Sequence, residues 1–358
     1  MLGAAFDMRL DGALDGTARW QAAQLAIDAI SARGGVRLPG GRATRLELVV
    51  YDAANDADSM ARALERLAGE HAAVALLAAG GLRPAALVSA LVPRLATPLI
   101  VLGPSSVTGQ EVAQWSYFLD PSGVDALGEL ARFAASQSVQ RIGWIAPRNT
   151  ASDRARAALL MEAATANVRV IGEESYPVGG EPEADAFGRL AFGGAQAIVA
   201  WPRDLDDALA LARLAAERAR GTPLYLNPVA ATAEFVSRGG EAALGVRALV
   251  PRLAVADHLW ADDPLTAPTR AFRDAFERRF GSRPLLEAAA AWDAVHLVVA
   301  ALEAAGPDRA ALRDRLEASG TFAGASGPIE FRPPRHVGLD GRAFLIARAE
   351  RGGWVLPA

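Results

Sequence analysis

Residues 17–51 read TARWQAAQLAIDAISARGGVRLPGGRATRLELVVY, and this stretch contains the pattern that decides the fold. Apolar residues recur at spacings of three and four between Trp20 and Ile30, which predicts a helix over 17–33. The two glycines that follow end the helix, and the apolar run at 46–51 predicts a strand. Another such run at 4–8 precedes the helix, so the pattern is strand, helix, strand, which is typical of a largely parallel sheet.

The same alternation continues along the chain and starts again after about residue 120, which favours two α/β units. Further strands are predicted at 73–77, 99–102, 141–145, 168–173, 197–201, 224–227 and 245–250. Long helices are predicted at 266–280, 286–304 and 309–318, and antiparallel edge strands at 329–331 and 343–349. The length of 358 residues agrees with two units, since one domain typically takes about 100 to 200 residues.

Composition excludes several classes of function. Acidic residues (41) outnumber basic residues (37), so the broad positive field of proteins that bind nucleic acid or anionic membranes is absent. The sequence has no cysteine, and all its basic residues are arginine, which excludes thiolate nucleophiles, P-loop lysines and Schiff-base lysines. No two of the four histidines have the spacing of a helical zinc site. We therefore expect neither a metal nor a nucleic-acid partner.

Catalytic motifs are missing from the places where they would be needed. The loop after the first predicted strand, 9–16, has two glycines four residues apart and lacks the G-x-G-x-x-G pattern of a dinucleotide-binding turn. No G-x-S-x-G elbow accompanies a plausible histidine partner, and the carboxylates are scattered over predicted helix faces. The sequence therefore predicts a protein that is not an enzyme and that needs no cofactor.

Candidate ligand-binding residues follow from the predicted topology, because open parallel sheets bind ligands at the carboxyl ends of their strands. The loops expected there contain Asp15, Gly80, Gly81, Leu82, Pro104, Ser105 and Ser106 in the first unit and Asn149, Thr150, Trp201, Arg203 and Asn227 in the second. The hydroxyls of Ser105 and Ser106 could hold a carboxylate or only cap the next helix. Trp201 could be a stacking wall or a core residue, and Arg203 could neutralise an acid or face water.

An ordered set of segments resembles one protein family. The segments are 26–36 (AIDAISARGGV), 46–52 (LELVVYD), 98–100 with 104–106 (PLI, PSS), 141–145 (RIGWI), 289–295 (AAAWDAV), 301–306 (ALEAAG) and 327–331 (GPIEF). Together they are similar to the leucine/isoleucine/valine-type periplasmic binding proteins, the type I solute-binding components of ABC transporters. The similarity extends over essentially the whole chain, and at Asp293 it implies a structural role.

The resemblance implies the type I periplasmic-binding-protein fold, in which two Rossmann-like lobes with parallel sheets are joined by three crossing segments, expected near 118–121, 250–253 and 326–329. Lobe 1 would comprise 1–119 and 251–327, lobe 2 would comprise 120–250 and 328–358, and the ligand would be buried in the cleft between them. A small-molecule ligand and an inner-membrane ABC transporter permease are the expected partners. We expect a periplasmic monomer, with a weak dimer as the alternative; any export signal or lipid-attachment cysteine would precede Met1.

Two departures from the family pattern concern the ligand. Amino-acid binders hold the ammonium with an acid of the second lobe, whereas the corresponding loop here, 227–230, reads NPVA. In the loop after the third strand, Gly80, Gly81 and Leu82 replace hydroxyl-bearing residues. A buried ammonium without a counter-charge costs several kcal/mol, which disfavours a standard α-amino acid unless Asp11, Asp15 or Asp204 supplies a replacement acid. The expected function is capture of a small polar or carboxylated ligand, whether amino-acid-like, an amide, or an organic or aromatic acid. The alternative is a sensor or protein-interaction module with a degenerate cleft.

Overall fold

The computed structural model describes residues 1–8, 16–53, 56–80, 91–103, 114–119, 123–333 and 336–357. The chain forms two compact units. Unit 1 comprises Met1–Asp120 and Ala261–Asp340, and unit 2 comprises Pro121–Trp260 and Gly341–Ala358. The chain therefore passes from one unit to the other three times.

Strands and helices alternate through most of the chain. The first section contains β1 (Leu2–Phe6), α1 (Gly16–Ala32), β2 (Val36–Arg37), β3 (Ala43–Thr44), β4 (Leu48–Asp52), α2 (Ala57–Gly69), β5 (Ala75–Ala79), β6 (Leu99–Val101) and β7 (Ser116–Phe118). The second contains α3 (Leu127–Ser136), β8 (Arg141–Pro147), α4 (Thr150–Thr165), β9 (Arg169–Tyr176), α5 (Ala186–Phe192), β10 (Ala197–Ala200), α6 (Leu205–Arg218), β11 (Leu224–Leu226), α7 (Ala233–Gly239) and β12 (Arg247–Pro251). The last contains α8 (Thr266–Phe280), α9 (Leu286–Ala305), α10 (Arg309–Glu317), β13 (Phe322–Ala323), β14 (Pro328–Ile329), β15 (Phe344–Glu350) and β16 (Gly353–Val355).

In its described residues, unit 1 contains a five-stranded parallel sheet in the order β4-β1-β5-β6-β7. Every residue of β1 and β5 is buried, as expected for parallel strands covered on both faces. Phe6, the last residue of β1, is opposite Asp52 on one side and Ala79 on the other. The carboxyl ends of these three neighbouring strands are therefore level with one another.

Helix α9 is a core helix of unit 1. Among the described helices it alone is long and apolar enough to cross a membrane, but 67% of its most apolar window is buried within the protein. It packs along α1, and its buried residues are mostly alanine, valine and leucine. The high hydropathy of α9 is therefore that of a helix buried in the interior of a folded domain.

Unit 2 contains a seven-stranded sheet in the order β16-β15-β12-β11-β10-β8-β9. The five strands from β12 to β9 run parallel, and β15 and β16 are antiparallel at one end. A cluster of buried apolar residues, among them Ile145, Phe187, Leu226 and Phe235, packs against the sheet. Unit 2 therefore has its own hydrophobic core.

The predicted fold class, an α/β fold with parallel sheets, is confirmed. The prediction of α8 matches the observed bounds, and most other elements differ by one to three residues at their ends. The elements that were not predicted are the hairpin β2–β3, the strands β7, β13 and β16, and helix α7. Each is seven residues or shorter, which leaves little length for a periodic pattern. The strand expected at 329–331 was expected beside the C-terminal edge strands, but β14 pairs with β13 within unit 1.

The units divide after Asp120, Trp260 and Asp340, whereas the sequence placed the lobe boundaries after 119, 250 and 327. Residues 252–258 form a 3₁₀ segment that packs on β12 and β16, so they lie with unit 2. Residues 328–340 lie with unit 1, since β14 pairs with β13 and Val337 bridges to Phe118 of β7. Short-range pairing of these connecting segments thus sets where the units divide.

Candidate functional site

Each parallel sheet has a switch point, where the order in which the chain adds strands reverses direction across the sheet. In unit 1, β1 lies between β4 and β5; in unit 2, β8 lies between β9 and β10. Ligands of open α/β sheets bind outside the carboxyl ends of the strands at such points. The residues that follow β1, β5, β8 and β10 are therefore the first candidates.

In unit 1 the switch point is occupied by Asp7, which directly follows β1 and is 1% exposed. Its backbone N–H donates to the carbonyl of Ala79 at 3.2 Å, and its carbonyl accepts from the N–H of Gly16 at 3.1 Å. Gly80 has a φ of +87°, and a Cβ added there would lie 3.0 Å from the Cβ of Asp7. Glycine at position 80 therefore serves both the backbone conformation and the close approach of Asp7.

The sequence singled out Gly80 but missed Asp7. An acidic residue immediately after a fully buried first strand was the available signal. The other first-unit candidates, Asp15, Gly81, Leu82, Pro104, Ser105 and Ser106, lie outside the described residues.

In unit 2, Trp201 directly follows β10 and is 8% exposed. Its ring stacks on Trp144 of β8, with centroids 6.0 Å apart and planes 28° from parallel. A Cβ added to Gly123 would lie 3.7 Å from the Cη2 of Trp201. The indole is therefore packed mainly against other residues of unit 2, with a small part of its surface exposed.

Arg203 lies in the same turn and belongs to a hydrogen-bonded network around Asp207. The Oδ2 of Asp207 accepts from the backbone N–H of Arg203 at 3.0 Å and from the hydroxyl of Tyr176 at 2.8 Å. The Arg203 guanidinium lies 3.3 Å from Asp204 and 3.8 Å from Asp207, with 32% of the side chain exposed. Burial, reinforced by the Asp207 carboxylate, raises the pKa of Tyr176, so its hydroxyl remains a donor.

Asp207 was not among the predicted site residues, although it is buried at 7% exposure. Asp204 caps helix α6 by accepting from the N–H of Asp207 at 2.9 Å. The acid pair three residues apart at a predicted helix start has the spacing of a capping box, which was the signal that could have found Asp207.

The two predicted asparagines bond to the backbone. Asn149 caps α4, its Oδ1 accepting from the N–H of Ser152 at 2.8 Å, and Thr150 is the exposed first residue of that helix. Asn227 is buried at 5% exposure; its Nδ2 donates to the carbonyl of Pro202 at 2.8 Å, and its Oδ1 accepts from the N–H of Val229 at 3.3 Å. Asn227 therefore ties the loop after β11 to the loop after β10.

Three arginines follow the carboxyl ends of parallel strands in unit 2: Arg148 after β8, Arg203 after β10 and Arg252 after β12. Arg148 is exposed, whereas Arg252 is buried and its Nε donates to the carbonyl of Arg342 at 2.8 Å. Because the strands are parallel, all three residues start from the same edge of the sheet. Guanidinium groups recognise carboxylates through paired N–H donors, so this edge suits an anionic ligand.

In the ranges that the structure describes, no group of three or more histidine, aspartate or glutamate side chains is placed to hold a metal ion.

Comparison with known proteins agrees with this geometry. A family model described as "Periplasmic binding protein" matches residues 2–353. Among solved structures, a candidate branched-chain amino acid ABC transporter from Rhodospirillum rubrum has a TM-score of 0.85 at 22% identity, covering 99% of both chains. No curated protein matches the chain.

Two further structures were solved with ligands. A branched-chain amino acid transporter substrate binding protein from Streptococcus pneumoniae, in complex with isoleucine, has a TM-score of 0.66 at 18% identity, covering 99% of both chains. An ABC transporter solute binding protein from R. palustris, in complex with benzoate, has a TM-score of 0.65 at 18% identity, covering 99% of this chain and 94% of that one. The fold shared with these structures is that of type I periplasmic binding proteins.

Proposed function

Because the chain belongs to the periplasmic binding protein family, we propose that it is a non-enzymatic solute-binding protein that captures a small carboxylated molecule in the periplasm and delivers it to an ABC transporter. The match of the family model over residues 2–353 is the observation that carries this proposal. The delivery step is supported by structurally similar proteins that are described as components of amino acid transporters.

The proposed ligand is a carboxylate that lacks an ammonium group. Arg148 and Arg203 follow neighbouring strands β8 and β10 at the carboxyl edge of the unit 2 sheet. The carboxylates described beside Arg203, those of Asp204 and Asp207, lie 3.3 and 3.8 Å from its guanidinium, so both are already engaged by a cation. An aromatic or aliphatic acid matches this charge balance better than an α-amino acid, whose ammonium would need a carboxylate of its own.

A thermal-shift panel tests the ligand class directly. Benzoate, short aliphatic acids, amides and isoleucine would each be added to the full chain. A bound ligand at 100 times its dissociation constant adds about 2.7 kcal/mol to the free energy of unfolding. We expect an acid without an amino group to raise the melting temperature more than isoleucine does. If nothing in the panel shifts it, capture of a small acid is contradicted, and a sensor or interaction module becomes the better explanation.

Arg203 allows a sharper test of the site. If its guanidinium bonds the carboxylate of the best ligand, Arg203→Ala should weaken binding by about 1.5–3 kcal/mol, measured by calorimetry, because a charge-assisted hydrogen bond is lost. Arg238→Ala is the matched control, since Arg238 is also an exposed arginine of unit 2 but pairs with Asp206 and Glu234 on helical surfaces. Equal affinities for the two variants would remove Arg203 from the site.

A further inference from the structure

A separate cavity of about 580 Å³ opens at the other edge of the unit 2 sheet. It is lined by the C-terminal half of α6, by the turn that leads into β11 and by residues 241–247, which lead into β12. Since β11 and β12 both start here, the cavity lies at the amino ends of the parallel strands, opposite the loops discussed above. Its volume is within the range of about 300–1,000 Å³ that is typical of small-molecule sites.

The wall of this cavity is largely apolar. The apolar lining residues that keep exposed surface are Ala216 of α6, Pro223, Ala242 and Leu244. Ala212 and Ala215 of α6 and Ala219 just after it also line the cavity, but they are buried in the core of unit 2. The accessible side chains are mostly small, so the cavity leaves room for a flat or branched apolar group. An apolar wall next to polar groups that fix orientation is the usual construction of a ligand pocket.

The charged residues that line the cavity are mainly arginines. Arg213, Arg220 and Arg247 all line it, and none of them forms an ion pair with a described residue. Two acidic residues also line the cavity, Glu217 and Glu241. Glu241 pairs with Arg351 at 2.9 Å, so Glu217 is the one lining carboxylate that remains to balance the three arginines. Three guanidiniums against one remaining carboxylate make the cavity positively charged.

Several other arginines of unit 2 are paired, whereas Arg148, Arg154 and Arg169, which lie away from the cavity, form no ion pair with a described residue. Arg132, Arg156, Arg189, Arg218 and Arg238 each pair with a nearby carboxylate. Around the cavity, Arg247 is half-buried, and its guanidinium lies 5.6 Å from the centre of the Tyr225 ring. That contact holds the Arg247 side chain in place without neutralising its charge.

We infer that this cavity is a second binding site, for an organic anion with an apolar body, such as an aryl carboxylate or sulfonate. The acid group binds Arg220 and Arg247, and the apolar body lies against Ala216, Ala242 and Leu244. Such a ligand satisfies the charge of the guanidiniums and removes apolar surface from water. The site is independent of the strand-end loops, so it does not rest on the proposed transport ligand.

Two fluorescent probes that differ mainly in charge test the inference. The anionic probe is 8-anilinonaphthalene-1-sulfonate, and the neutral probe is N-phenyl-1-naphthylamine, both titrated into the full chain. We expect Arg247→Gln and Arg220→Gln each to weaken sulfonate binding about ten-fold or more, and to change binding of the neutral probe little. Arg218→Gln is the matched control on α6, since Arg218 pairs with Asp185 and does not line the cavity.

Three outcomes would overturn the inference. One is unchanged sulfonate affinity in both cavity variants, and another is equal weakening by Arg218→Gln. The third is weakening by Arg203→Gln instead, which would place the probe at the strand-end loops. Circular dichroism checks that each variant is folded; if Arg247→Gln is not, Arg220→Gln decides, because Arg220 is exposed on a turn.

Discussion

Asp293 is a buried carboxyl group of helix α9 whose hydrogen bonds hold a neighbouring segment in place. Its Oδ1 accepts from the N–H of Ala325 at 2.8 Å, and its Oδ2 accepts from the N–H and hydroxyl of Ser326 at 2.7 and 2.5 Å. A Cβ added to Gly324 would lie 2.6 Å from the same Oδ2. The contacts of Asp293 are therefore structural. The carboxyl group holds segment 324–326 in place, and the absence of a side chain at Gly324 makes room for the carboxyl group.

This carboxyl should make stability depend on pH. Burial raises the pKa of Asp293 from 3.8 to about 6, although the hydrogen bonds from Ser326 and Ala325 lower it in part. The folded protein therefore binds this proton more tightly than the unfolded chain does. The corresponding stabilisation is fully present below about pH 4 and is lost as the pH rises through about 6.

We predict that the stability advantage of the natural protein over Asp293→Asn is larger at pH 4.5 than at pH 7.5. The difference should be on the order of 1–3 kcal/mol, since one pKa unit corresponds to about 1.4 kcal/mol. Urea unfolding of both proteins at the two pH values measures it. An advantage that does not change with pH would show that the Asp293 carboxyl keeps an ordinary pKa in the folded protein.

At the scale of elements, Asn149 is the N-cap of α4 and also a predicted ligand contact. Its Oδ1 is engaged by Ser152, so Asn149→Ala should lower the free energy of unfolding by about 1 kcal/mol, whereas Asn149→Asp should retain the cap. Chemical denaturation of the two variants measures the cap, and ligand titration of Asn149→Ala measures any contact made by the amide nitrogen. No loss of stability on Asn149→Ala would contradict the capping role.

Strand β9 is an edge strand of the unit 2 sheet, and it carries features that discourage pairing with another chain. Its pairing with β8 shifts register at Ile171, which has no partner there and forms a bulge. Glu173 then pairs with Arg156 of α4, and Glu174 pairs with Arg189 of α5, which lowers the pKa of Glu174. A bulge and charges on an edge strand both oppose intermolecular strand addition.

At the scale of the whole molecule, the sequence predicted the parallel α/β architecture because buried strands and amphipathic helices have local periodic patterns. It also indicated the strand-end loops, since strand polarity alone puts them at one edge of a sheet. It did not predict that Asn227 bonds to Pro202, or that Asp207 lies under Arg203, because these contacts join separate loops or depend on the turn conformation. Trp201 shows the same limit, as its burial depends on Trp144, a residue 57 positions earlier in the chain.

The C-terminal segment gives unit 2 a part of its sheet that the central section of the chain cannot supply. Strand β15 pairs with β12 from Arg247 opposite Arg348 to Pro251 opposite Phe344. Trp354 of β16 is 7% exposed and stacks on Phe235 of α7 at 5.7 Å. Residues 341–358 thus cover an edge of the parallel strands and complete the core beneath it.

A chain that ends at Asp340 should therefore fail to fold unit 2. It loses the buried side chains Phe344, Ile346 and Trp354, each worth about 1.5–3 kcal/mol, and it exposes the edge of β12. That sum is a large part of the roughly 5–15 kcal/mol that stabilises a typical domain. Near-ultraviolet circular dichroism and thermal unfolding would show the loss, with a chain ending at Leu356 as the control. Native-like melting of the shorter chain would mean that the parallel strands of unit 2 hold together without their antiparallel neighbours.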